Sequence, residues 1–176
     1  MGRVEYWGEH GMSDLHKISV TINGEAIRAS VPARLNLVDF IRTEAGLTGS
    51  HVGCEHGVCG ACTIEVDGAM VRGCLMLAVQ ADGATVTTVE GFADSDFGPA
   101  LQEAFQNNHA LQCGYCTPGM LASALEYLRG VRSSATGPDR AAIRDHISGN
   151  YCRCTGYQSI VNAIAEVATS KAEGKS

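Results

Sequence analysis

Ile18, Val20 and Ile22 alternate with polar residues, and after Asn23-Gly24 the alternation resumes at Ile27, Ala29 and Val31. A period of two on either side of a dipeptide that accepts positive φ predicts a β-hairpin closed by a type I′ turn. Asn36 stands where its side chain can cap a short helix, with Leu37, Phe40 and Ile41 on one face and Gly46 ending it. A second hairpin is predicted from the run Cys62-Thr-Ile-Glu-Val66, the turn Asp67-Gly68 and the return Ala69-Met-Val71. Two hairpins flanking a helix, with a glycine-rich loop between, suggest a β-grasp sheet.

Beyond residues 90–99, whose Gly, Asp, Ser and Pro content reads as a linker, the period changes to that of helices. Leu101, Ala104, Phe105 and Asn108 share one face, and so do Leu121, Ala124, Leu125 and Leu128. Ile143 and Ile147 mark a third helix after Pro138, and Val161, Ile164, Ala165 and Ala168 a fourth. Such short amphipathic helices bury their stripes only against one another, so the second half reads as a four-helix bundle with residues 133–138 as a polar connection. The fold class is therefore α+β.

Composition narrows the function. The chain has 176 residues, 45% of them hydrophobic, and no apolar run approaches the roughly 20 residues of a membrane helix. It reads as soluble, and its N-terminus lacks the apolar stretch of a secretory signal. The net charge of -6 argues against nucleic acid, which needs clustered Lys and Arg. Without export, the expected compartment is the reducing cytoplasm, where eight cysteines suit metal ligation better than disulfides.

Those eight cysteines form two sets. Cys54, Cys59, Cys62 and Cys74 follow C-x4-C-x2-C-x11-C, the plant-type spacing of a 2Fe-2S cluster. Cys113, Cys116, Cys152 and Cys154 follow C-x2-C-x35-C-x-C. The last two diverge on a helix but share a side in extended chain, so they belong to the loop before the final helix. Thr117 and Thr155 each follow a cysteine and are expected to cap helices, Thr155 in a capping box with Gln158. Gly53, Gly57 and Gly60 interleave the first set and allow successive N–H groups to curl around sulfur. Two all-cysteine zinc sites are the alternative, though the C-x-C pair and the long gap fit zinc knuckles poorly. His51 and His56 read as solvated loop residues, since both cysteine sets are complete without them. No strand-GxGxxG-helix context marks a nucleotide site.

The runs GCEHGVCGACT at residues 53–63, LQCGYCTPGM at 111–120 and GNYCRCTGY at 149–157 resemble the iron-sulfur small subunit of the xanthine oxidase family of molybdenum hydroxylases. They look closest to the small chains of N-heterocycle hydroxylases and aerobic carbon monoxide dehydrogenases. The resemblance implies a plant-type 2Fe-2S ferredoxin-like domain at residues 16–90 and a helical 2Fe-2S-binding domain at 91–176, after an extension at 1–15 that carries Tyr6 and Trp7. It implies that the first cysteine set holds one cluster and the second set the other, with Gln112 and Cys154 close to a pterin.

Expected partners are a large subunit with a molybdopterin cofactor and a medium subunit with FAD, in a heterotrimer or its dimer. Single electrons would pass from the molybdenum centre through two 2Fe-2S clusters to the flavin. The chain itself would carry no catalytic residue, and the substrate suggested is an aromatic N-heterocycle. A free two-cluster ferredoxin and a zinc-braced interaction module are the rival functions.

Overall fold

The computed structural model describes residues 15–131 and 139–173. Tyr6, Trp7 and the connection at 133–138 lie outside the described residues. The first part is a mixed sheet with one helix, the second a set of packed helices, so the α+β expectation holds.

Strands β1 (Leu15–Ile22) and β2 (Glu25–Pro32) pair antiparallel around Asn23-Gly24, whose φ values of 49° and 86° supply the turn. Ile18, Val20 and Ile22 are buried, whereas Ile27 and Ala29 on the edge strand β2 are only partly so. Helix α1 (Leu37–Thr43) begins where Asn36 accepts the Asp39 N–H through its side chain, at 2.8 Å. Its Leu37, Phe40 and Ile41 close over the sheet, each worth roughly 1.5–3 kcal/mol of burial. Strands β3 (Thr63–Val66) and β4 (Ala69–Arg72) form the second hairpin.

One strand was not legible in the sequence. Residues Thr85–Thr87 form β5, which pairs parallel with β1 and antiparallel with β3. The sheet order is therefore β2-β1-β5-β3-β4, with this short strand at the centre joining the two hairpins. A three-residue strand offers a single inward side chain, Val86, and no period for a pattern to show.

Residues 90–99 also differ from expectation. Val89–Asp94 is a 3-10 turn, and Phe92 and Phe97 are 1% and 3% exposed, so the stretch is anchored in the helical core by two side chains while Glu90, Ala93, Asp94, Asp96 and Pro99 stay exposed. Helices α2 (Gly98–Asn107), α3 (Thr117–Val131), α4 (Arg140–His146) and α5 (Gln158–Glu173) follow, packed around one core that includes Leu101, Phe105, Leu125, Ile143 and Ile164. Asn108 belongs to the cap of α2 rather than to its buried face, and its amide reaches Ala104 and Glu166.

Helix α3 is buried on more than a stripe because it lies between its helical neighbours and the β3–β4 hairpin. Arg129 pairs with Glu65 at 2.9 Å across this contact. A Cβ on Gly119 would lie 2.0 Å from the Gly60 carbonyl oxygen, so the approach of the two halves requires glycine there. Gly60 itself has φ 75° and no room for a Cβ against Gly149 and Asn150. No helix among the described residues is long and apolar enough to cross a membrane.

Candidate metal centres

The β3–β4 hairpin explains the spacing of Cys62 and Cys74. Thr63 pairs with Arg72 at its open end, and the Gly73 N–H donates to the Cys62 carbonyl at 3.1 Å. The intervening chain folds back on itself, and the two thiols interact. Cys54 and Cys59 precede the hairpin in a loop turned by Glu55 and Gly57, whose φ values are 58° and 82°.

The Cys59 N–H donates to the Cys54 sulfur at 3.4 Å. With further backbone donation from His56 and Val58, it holds the Cys54 thiol down at about 6. This is the nest of N–H groups that the glycine spacing anticipated. Cys62 is the counterpart: burial comes first among its influences and pushes its thiol up to about 11. A Cβ on Gly53 would sit 3.0 Å from the Cys59 sulfur, so bare backbone leaves the space beside that thiol open.

In the helical half, Cys113 and Cys116 flank a turn closed by the Thr117 N–H on the Gly114 carbonyl, at 3.1 Å. The Cys116 carbonyl accepts the Met120 N–H at 2.9 Å, so Cys116 rather than Thr117 stands at the mouth of α3. Cys152 and Cys154 lie in the loop before α5, where their spacing put them. The Cys154 and Cys113 sulfurs are 3.5 Å apart, and Cys116 interacts with Cys152. Burial pushes the Cys116 thiol up to about 12 despite its place at a helix N-terminus. Burial also acts to raise Cys152, but hydrogen bonds from Thr155, Cys154 and Cys116 outweigh it and hold that thiol below its ordinary value.

Thr155 does not form the expected capping box. Its hydroxyl lies 3.2 Å from the Cys152 sulfur and accepts the Tyr157 N–H at 3.1 Å, which closes a turn inside the cysteine loop. The Cys152 N–H donates to the Tyr157 hydroxyl at 2.9 Å. Gln112 donates to the Cys154 carbonyl at 3.1 Å and so ties the two ends of the second set together.

Sequence reasoning missed the residues that join the two sets. Asn150, 2% exposed, donates to the Gly60 carbonyl and accepts from Ser123. The Tyr151 N–H donates to the Cys59 carbonyl at 2.8 Å, and Arg72 reaches the Gly149 carbonyl at 3.0 Å. Periodicity carries no trace of contacts between loops. Of the two histidines expected in solvent, His56 is exposed and contacts the Cys54 carbonyl, whereas His51 is half-buried and stacks on Tyr115.

A cavity of about 170 Å³ is bordered by Gly53 and Cys59 from the first loop and by Cys113, Cys116, Cys152 and Cys154 from the second. Among the described residues, no three His, Cys, Asp or Glu side chains converge on one metal ion. Side-chain contacts link Cys54 with Cys59, Cys62 with Cys74, Cys113 with Cys154, and Cys116 with Cys152, while charge interactions also reach from Cys62 to Cys59 and from Cys116 to Cys113. A 2Fe-2S cluster takes two protein ligands on each of its irons, so thiols gathered in this way suit it. One zinc ion needs all four thiolates around a single centre.

Known proteins show the same division. Residues 20–88 match the family described as a 2Fe-2S iron-sulfur cluster binding domain, and residues 88–165 the family described as a [2Fe-2S] binding domain. The protein is thus of the class that carries two 2Fe-2S domains in one chain. It is 53% identical to the caffeine dehydrogenase subunit gamma of Pseudomonas sp. (strain CBB1), over 92% of its own length and 96% of that protein's. It is 51% identical to the nicotine 6-hydroxylase small subunit of Paenarthrobacter nicotinovorans, over 88% and 90% of the two chains. The crystal structure of quinoline 2-oxidoreductase from Pseudomonas putida 86 superposes with a TM-score of 0.82 at 47% identity, covering 93% of this chain and 99% of that one. The chain belongs to the iron-sulfur small subunits of the xanthine oxidase family of molybdenum hydroxylases, the electron-transfer part of an oxidoreductase complex.

Proposed function

We propose that Cys54, Cys59, Cys62 and Cys74 hold one 2Fe-2S cluster, and Cys113, Cys116, Cys152 and Cys154 a second. The observation that carries this reading is the gathering of the thiols within each set, with side-chain contacts between Cys54 and Cys59, Cys62 and Cys74, Cys113 and Cys154, and Cys116 and Cys152. Each cluster, when bound, takes and gives up one electron at a time, which divides a two-electron oxidation in a molybdopterin subunit into single transfers toward a flavin subunit. The chain's own residues set where those centres sit and how polar their surroundings are. The N–H groups of Cys59, His56 and Val58 favour negative charge at Cys54, while burial at Cys62 and Cys116 keeps water away.

The five-stranded sheet with α1 against it supports a β-grasp, plant-type ferredoxin domain over residues 16–90. The shared core of α2 to α5 supports a four-helix cluster-binding domain over 91–176. Exposed apolar side chains flank each centre, Val58 and Leu75 at the first and Leu111 and Tyr151 at the second. They suit docking of the FAD subunit at one end and the molybdopterin subunit at the other, in a heterotrimer or its dimer. Gln112 and Cys154 then face the pterin. The relatives named for caffeine and nicotine favour an aromatic N-heterocycle as substrate of the assembled enzyme. A cytoplasmic location is part of the same reading, because thiolates persist as ligands where disulfides do not form.

Iron and acid-labile sulfide analysis tests the ligation: about four of each per chain are expected, with EPR signals from two centres after reduction. Zinc without sulfide overturns it. Copurification with two larger chains, and turnover of a panel of heterocycles by the complex, test the rest.

A further inference from the structure

His51 stands three residues before Cys54, and Tyr115 lies between Cys113 and Cys116. Their rings stack with centroids 4.6 Å apart and planes at 17°. His51 Nδ1 is 2.9 Å from the Tyr115 carbonyl oxygen, which can only accept, so the proton sits on Nδ1. In return the Tyr115 hydroxyl donates to the Val52 carbonyl at 2.6 Å. Each loop thus holds the backbone of the other through a side chain, with the two rings face to face between them.

We propose that the His51–Tyr115 stack is a clasp that fixes the separation and mutual orientation of the two cysteine sets, making both residues positioning residues for electron passage. The proposal rests on the two-cluster reading above. Two features single out this pair. Among the described residues, no backbone-to-backbone hydrogen bond holds residues 51–58, so the loop bearing Cys54 takes its placement from side chains. The halves are already joined by the close approach of Gly60 and Gly119 and by the contacts of Asn150 with Gly60, Tyr151 with Cys59, Arg72 with Gly149 and Arg129 with Glu65. These ties hold the chain from Cys59 onward. His51 and Tyr115 add a tie on the other side of Cys54, between the stretch that precedes it and the turn between Cys113 and Cys116.

Tyr115 also lines the cavity bordered by Cys59 of the first set and by the four cysteines of the second. It is nevertheless 49% exposed. The pair is a small part of what holds the fold, which rests on the two buried cores. Its effect falls on geometry, and transfer between redox centres is steeply sensitive to geometry.

The test uses the full chain loaded with iron and sulfide, and compares wild type with Tyr115→Ala, His51→Ala and Tyr115→Phe. The readouts are iron and sulfide content and the magnetic interaction between the two reduced centres in low-temperature EPR, which depends on their distance and angle. Both alanine variants are expected to keep wild-type iron and sulfide but change the interaction splitting by more than the linewidth. Tyr115→Phe keeps the stack and loses one hydrogen bond, and is expected to stay closer to wild type. Should Tyr115→Ala fail to load, His51→Ala and His51→Asn carry the same measurement. An unchanged splitting in the loaded variants overturns the clasp while leaving the two-cluster reading intact. A wild type without two interacting centres overturns both.

Discussion

The side-chain amide of Asn150 donates to the Gly60 carbonyl at 3.2 Å, joining two loops ninety residues apart. The same side chain accepts the Ser123 hydroxyl at 2.8 Å. One buried amide therefore ties the first cysteine loop, the second cysteine loop and α3 together, two residues from Cys152 and one from Cys59.

Asn150→Leu keeps the branching of the side chain, with bulkier ends, and removes both bonds. It leaves the Ser123 hydroxyl buried without that partner, at about 1–3 kcal/mol for the unsatisfied group, while the Gly60 carbonyl keeps the Thr63 N–H and hydroxyl as donors. We expect the denaturant midpoint to fall accordingly, and Asn150→Leu combined with Ser123→Ala to recover part of the loss. Full additivity of the two substitutions would contradict a shared network.

Gly60→Ala and Gly68→Ala separate strain from collision. Both glycines have positive φ, 75° and 84°, but a Cβ on Gly68 meets nothing within 4 Å, whereas one on Gly60 meets the Gly149 carbonyl oxygen at 2.6 Å. Gly68→Ala should cost about 1 kcal/mol, the left-handed penalty alone. Gly60→Ala should cost at least about twice that and disturb both cysteine loops. Equal midpoints for the two variants would contradict the close approach.

Thiol reactivity in the iron-free chain follows the local fields. The thiolate is the nucleophile. Cys54, held at about 6, is mostly ionised at neutral pH and gains reactivity as pH rises through that value. Cys62 and Cys116, pushed up to about 11 and about 12, stay protonated until strongly alkaline pH. Timed alkylation at neutral pH followed by peptide mass spectrometry should label Cys54 well before these two. Labelling of Cys116 ahead of Cys54 would contradict the arrangement of donors and burial described for them.

Cys59→Ser tests the independence of the two proposed centres. The loss of one ligand from the first set should remove one of two EPR signals and about half the iron, while the second signal survives. Loss of both signals would show that the second centre does not assemble without the first. The Tyr151 N–H bond to the Cys59 carbonyl is made by backbone and outlasts the substitution.

Much of this protein was legible before any coordinates. Asn23-Gly24 and Asp67-Gly68 announced their hairpins because positive φ is a property of the dipeptide itself. Asn36 announced its helix because a cap acts within three residues. Local chemistry of this kind is written in adjacent positions, and so is the grouping of the cysteines, whose spacing reflects a short loop and a hairpin. Thr155 shows where local rules end: its hydroxyl, expected on a helix end, is drawn to the Cys152 sulfur.

The sequence by itself determined the α+β class and most of the buried faces. Only the tertiary structure decided that β5 sits at the centre of the sheet, that Phe92 and Phe97 anchor residues 90–99 in the core, and that Asn150, Tyr151 and the His51–Tyr115 stack bring the two sets against one cavity. The reason is range. Hydrophobic period and turn chemistry act between neighbours in the chain, whereas a hydrogen bond between loops depends on the whole fold having already placed donor and acceptor within 3 Å or so of each other.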